Sequence, residues 1–175
     1  MMLLPALSFS SHGEHARPAP VCRSEAGQVL LLLLPIKRAS DVIYGARYAK
    51  RLLEWGIQVK VHLLHVTGAG RQPGAPLVQE RGEEDDAQAE EVMREAALYL
   101  SRSRIDHCSF LRSGDIVFSI LDAAEMLDCR EIVLPAPGAW RLFSGDLTRR
   151  IARSSRSATV VLAGQDGMRC PAHAS

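Results

Sequence analysis

Gln28-Val29-Leu30-Leu31-Leu32-Leu33-Leu34-Pro35-Ile36 is the stretch on which the fold turns. Aliphatic residues run from Val29 to Leu34 without alternation, and Pro35 stops them. A strand with one face in water alternates apolar and polar residues, because successive side chains point to opposite sides. An unbroken run therefore predicts a strand buried on both faces, as in a parallel sheet covered by helices. The run is also too short to span a membrane, which takes roughly 20 apolar residues in a helix.

Downstream of that strand the period changes to that of a helix. Ser40 or Asp41 can cap it, since a short side-chain oxygen accepts the free N–H groups of a first turn. Val42, Gly45, Ala49 and Leu52, with Ile43, Ala46 and Leu53, then form one apolar face, and Gly56 suits the left-handed C-terminal cap. Gln58 to Val66 alternates and is β-branched, a second strand. Thr67 to Asp86 reads as a long Gly- and Pro-containing loop entering a helix whose start is acidic, and Ala89, Val92, Met93, Ala96, Ala97 and Leu100 form that helix's buried stripe. Ile105 to Leu111 is a third strand. Gly114-Asp115 opens a helix carrying Val117, Ile120, Leu121, Ala124 and Leu127, and Glu131 to Leu134 is a fourth strand. Leu147 and Ile151 mark a last helix and Ala158 to Ala163 a fifth strand.

Strands alternating with helices predict an α/β fold: an open, mostly parallel five-stranded sheet with helices on both faces. Such sheets bind ligands beyond the carboxyl ends of their strands. Interest thus falls on the loops after strands one, two and four. The domain runs from residue 28 to 164; residues 1–27 read as a disordered extension and 165–175 as a flexible tail.

Composition sets outer limits. With 175 residues, 47% hydrophobic and 23% charged, the chain has the make-up of one globular domain. Lys+Arg at 21 nearly cancels Asp+Glu at 20, so no global field favours nucleic acid or a membrane surface. Arg149, Arg150, Arg153 and Arg156 are expected to form a solvated helix face. Cys22, Cys108, Cys129 and Cys170 are scattered without metal-ligand spacing, and are expected to be reduced thiols of a cytoplasmic protein. No metal site is expected: His62 and His65, three apart on a strand, point to opposite faces, and Glu83 to Asp86 lacks the spacing of a calcium loop.

The order and spacing of Leu33-Leu34-Pro35-Ile36, Leu63-Leu64-His65-Val66, Gly114-Asp115 with Ile120-Leu121-Asp122-Ala123-Ala124, Glu131-Ile132-Val133-Leu134, Ser144-Gly145 and Ala158-Thr159-Val160-Val161-Leu162 resemble the universal stress protein family over most of residues 28–164. The resemblance implies a flavodoxin-like (Rossmann-like) sheet in the order 3-2-1-4-5 and a cytosolic, stress-responsive role. It also implies homodimers paired through the last strand, here Ala158 to Ala163. Some members bind ATP. Those place an Asp two residues after the proline of the first loop to hold adenine, and Gly-x-x-Gly, nine residues, then Gly-Ser/Thr after strand four to cradle phosphates.

Each part of that apparatus is altered here. The vestigial cleft comprises Pro35, Ile36, Lys37, Val66, Gly138, Gly145 and Asp146. Lys37 stands where the Asp is expected and cannot accept a hydrogen bond. Pro135 replaces the first glycine and Pro137 follows, so two N–H donors are missing. Gly138 can serve as the second glycine, but only Ala139 to Ser144 separate it from Gly145. Asp146 replaces the Ser/Thr; at an effective dielectric near 20 it would repel a phosphate about 4 Å away by roughly 4 kcal/mol, less once solvent screens it. The shortened loop, with Trp140 and Phe143, resembles the branch that does not bind nucleotide. The expected function is therefore a non-enzymatic, homodimeric stress-response module without a cofactor, contacting other regulatory proteins but not nucleic acid or membrane. The alternative is an ATP- or AMP-binding protein with a rebuilt site. Lys37 and Asp146 are expected to face each other across the cleft.

Overall fold

Leu30–Ile36 forms β1, the centre of the sheet, in a computed structural model that describes residues 29–67, 83–136 and 145–170. A short 3-10 turn (Ala39–Asp41) leads into α1 (Val42–Glu54), and β2 (Val59–Thr67) follows. Then come α2 (Glu83–Arg102), β3 (His107–Ser113), α3 (Ile116–Met126), β4 (Glu131–Pro135), α4 (Gly145–Ser154), β5 (Thr159–Ala163) and β6 (Arg169–Cys170). The order across the sheet is β3-β2-β1-β4-β5-β6, parallel throughout except for β6.

The leucine run divides its side chains between two cores, which is why it shows no alternation. Leu32 and Leu34 join Val42, Ala46, Ala49, Leu52, Ala96 and Leu100 from α1 and α2. Leu33 joins Val117, Ile120, Ala124 and Ile151 from α3 and α4 on the opposite face. The edge strand β3 is covered less fully and does alternate between half-buried and exposed positions. Its start is shifted two residues from the expected Ile105. Ile105 is buried, but its carbonyl accepts from His107 Nδ1, and ladder pairing with β2 starts at His107.

Local signals set the start of α3 and the end of α1 as expected, whereas the expected Ser40 or Asp41 cap of α1 is not made. Asp115 caps α3, its carboxylate accepting the Phe118 N–H at 2.8 Å. Gly56 ends α1 at φ +81°, with the Ile57 N–H returning to the Leu52 carbonyl at 2.9 Å. Two further expectations fail. The segment from Gln165 is not a tail throughout: it turns back and lays β6 along β5, so the sheet has six strands. Cys108, moreover, is disulfide-bonded, so it is not the reduced thiol expected; Cys129 and Cys170 are free.

The missed strand has a local signature. Gln165-Asp166-Gly167 is a three-residue hairpin loop, closed by Gly164 N–H to Met168 O (2.9 Å) and Gly167 N–H to Gly164 O (3.1 Å). Gly167 sits at φ +76°, which an L side chain rarely adopts, and a Cβ there would lie 2.7 Å from the Arg47 carbonyl. Asp-Gly after an apolar run is a strong hairpin signal. It is weakened here by the brevity of the returning strand.

Candidate functional site

The sheet order reverses at β1, whose neighbours are β2 and β4, so the carboxyl ends of these three strands form the crevice where α/β sheets receive ligands. Pro35 and Ile36 close β1 and are buried; Val66 is half-buried near the end of β2. Pro135 ends β4, also buried, and the Ala136 N–H is spent on the Ala163 carbonyl at 2.9 Å. Gly145 opens α4, with Asp146 exposed in its first turn. Gly138, Pro137, Trp140 and Phe143 lie outside the described residues, as do the N-terminal 27 residues. Lys37 is exposed just past β1, and the ion pairs among the described residues do not join it to Asp146.

The loop after β1 is organised by a residue to which the sequence assigned a different task. Asp41 precedes α1 but makes no side-chain cap to it. Its carboxylate Oδ2 turns backward and accepts the N–H groups of Lys37 (2.8 Å) and Arg38 (2.9 Å). The side chain is 3% exposed, and its Oδ1 has no partner among the described residues. Burial pushes its carboxyl above the usual value, while the bonds from Arg38 and Lys37 pull the other way. Next to it, His65 Nδ1 lies 3.0 Å from the Ile36 carbonyl; a carbonyl can only accept, so Nδ1 carries the proton. Burial holds this imidazole below its usual pKa, against the bond to Ile36 and the Asp41 charge. An Asp three and four residues after two free backbone donors was the available clue.

The loop therefore presents an exposed ammonium and donors already in use. Asp41→Ala strips two backbone N–H groups of their acceptor and is expected to destabilise the fold by about 1–3 kcal/mol in urea unfolding. Asp41→Asn keeps an acceptor and removes the buried charge. Above pH 3.8 the unfolded chain releases the Asp41 proton before the folded one does, so this group subtracts stability as pH rises towards its raised folded value. The Asn variant should lose that decline and lie within about 1 kcal/mol of the parent at neutral pH.

Cys129 and His62 are adjacent, but not as a nucleophile and its base. Cys129 Sγ lies 3.4 Å from His62 Nδ1, but burial, with Asp128 adding, pushes the thiol up to about 12. A thiol that stays protonated is not a nucleophile. His62 and His65 do face opposite cores, and no cluster of three or more metal-ligating side chains occurs among the described residues. Arg149, Arg150, Arg153 and Arg156 are exposed, as a solvated face requires.

Comparison with known proteins agrees with this architecture. A family model described as the universal stress protein family matches residues 32–163. Among solved structures, universal stress protein UspA from Lactobacillus plantarum superposes with a TM-score of 0.55 at 18% identity, covering 79% of this chain and 99% of that one. The universal stress protein from Archaeoglobus fulgidus in complex with dAMP gives 0.53 at 17% identity, covering 75% and 96%. An Arabidopsis thaliana universal stress protein family protein with AMP bound gives 0.52 at 12%, covering 77% and 91%. At such identities these structures speak to the fold. No curated protein sequence matches significantly.

Proposed function

The chain belongs to the universal stress protein family, and from that premise we propose that it is a non-enzymatic stress-response module that works through protein contacts and does not take ATP as a ligand. The observation carrying this reading is the loop after β1, where Lys37 supplies a cation and the Lys37 and Arg38 N–H groups are turned onto buried Asp41. Adenine's amine needs an acceptor at that point, and Lys37 has none to give. Pro135 at the end of β4 has no N–H, and Asp146 puts a carboxylate in the first turn of α4, where a phosphate would otherwise meet free donors.

Partner binding is part of the same proposal: homodimers through the last strand, Ala158 to Ala163, and contacts with other regulatory proteins. Cytoplasmic residence rests on kinship alone, since the bonded Cys108 argues for a more oxidising setting. Among the described residues no helix is long and apolar enough to cross a membrane.

A second reading retains an adenine nucleotide in a site rebuilt around Lys37 and Gly138. In its favour, similarly folded proteins were solved with dAMP and AMP, and Gly145 still opens α4. A thermal-shift titration with Mg-ATP and with AMP, beside mass spectrometry of the purified protein, separates the two. A ligand at 100 times its dissociation constant adds about 2.7 kcal/mol, a shift of several degrees. No shift and no co-purified nucleotide is the expected result; a clear rise with either compound establishes the second reading instead.

A further inference from the structure

We propose that the β5–β6 hairpin is a strap that competes with a second copy of this chain for the outer edge of β5 at Leu162 and Ala163, and that releasing it strengthens homodimerisation. This rests on the homodimer reading above and adds a gate to it. Alternate residues of a strand direct their backbone groups to opposite sides. The Thr159 N–H donates to the Arg130 carbonyl and the Ala163 carbonyl accepts from Ala136, so positions 159, 161 and 163 face β4. Val160 and Leu162 therefore face outward, and β6 lies antiparallel on that side, pairing Leu162 with Cys170 and Ala163 with Arg169.

The composition of the edge identifies the occupant. Sheet edges are usually blunted by charges, proline or a bulge. The opposite edge strand, β3, carries His107 and Arg112. Thr159-Val160-Val161-Leu162-Ala163 carries no charge and no proline, and β6 covers it at Leu162 and Ala163. An uncharged strand of this kind is complementary to itself: two copies related by a two-fold axis pair antiparallel without placing like charges opposite each other.

The strap is fastened by side chains far apart in sequence. Arg169 Nη2 donates to Glu131 Oε1 at 2.5 Å and to the Tyr48 hydroxyl at 3.2 Å, and Tyr48 donates to Glu131 Oε2 at 2.8 Å. Arg47 donates to the Gln165 carbonyl, and Gly167 seats the turn on the backbone of α1 at Arg47. The strand β6 spans only two residues, so its own ladder is slight and Arg169 is the principal fastener. The Arg169 side chain is 53% exposed, so removing it spares the core.

Sedimentation equilibrium of the full chain, of Arg169→Ala, and of a chain ending at Gly164 tests this, with hydrogen exchange at the Leu162 amide reporting whether the strap has opened. The full chain is expected to dimerise weakly, because β6 competes for the same edge, and both released forms to self-associate at least tenfold more tightly. Val160→Pro added to Arg169→Ala should abolish that gain, because the lost N–H faces the partner and not β4. Equal association in all forms overturns the gate and leaves the dimer standing. Monomers throughout, with the Leu162 amide freed, overturn the dimer reading and the gate together.

Discussion

Leu33→Ala and Leu34→Ala are each expected to destabilise the protein by about 3 kcal/mol, lowering the melting temperature by roughly 6–12 °C. The two side chains leave β1 in opposite directions and are 0% and 2% exposed, in the cores closed by α3 and α4 and by α1 and α2 respectively. Each substitution removes three buried carbons and leaves a void that rigid neighbours on a central strand cannot collapse into. Leu111→Ala on β3 is the control. Its side chain is 43% exposed, so its loss should stay within about 0.5 kcal/mol. Chemical unfolding of the three variants checks the sheet's covering directly. A mild result at either Leu33 or Leu34 would mean that one face of β1 is open to water.

Acid should weaken the fold through two histidines that the crevice and the lower core keep neutral. Burial lowers the pKa of His62, with Lys60 adding and Asp106 opposing, and burial likewise lowers that of His65. In the unfolded chain both protonate as pH falls past 6.5; in the folded protein they do so only at lower pH. The unfolded state then binds more protons, so stability is intact above pH 6.5 and is lost as pH falls through the window below it. The slope approaches about 1.4 kcal/mol per pH unit for each histidine still neutral in the fold. His62→Leu should remove one share of that slope. It should also leave stability at neutral pH nearly unchanged, since His62 Nε2 is a buried atom without a partner among the described residues. Urea midpoints at pH 7.5 and 5.5 for the parent and this variant decide the matter. Parallel declines in the two proteins would show that His62 already protonates freely in the fold.

Much of this architecture was legible because its signals are local. The caps at Asp115 and Gly56 act within five residues, and the two-faced burial of β1 is written in six adjacent positions. The crevice was legible in outline for the same reason: Pro35, Lys37, Pro135 and Asp146 fall at strand and helix ends that periodicity locates. Its working detail was not. Asp41 offers an acceptor to donors on either side of it, and only packing against the sheet decides that it serves Lys37 and Arg38 behind it rather than α1 ahead.

Residue order alone thus determined the alternation of strands and helices and the burial of the central strands. Tertiary structure alone decided what meets at long range. Tyr48, Glu131 and Arg169 are separated by 83 and 38 residues along the chain, and no periodicity couples them. They converge because the sheet order carries β4 beside β1 and folds the segment after β5 back along its edge. A hydrogen bond between distant side chains depends on where closed loops deliver them, which is a property of the assembled sheet and not of any window of sequence.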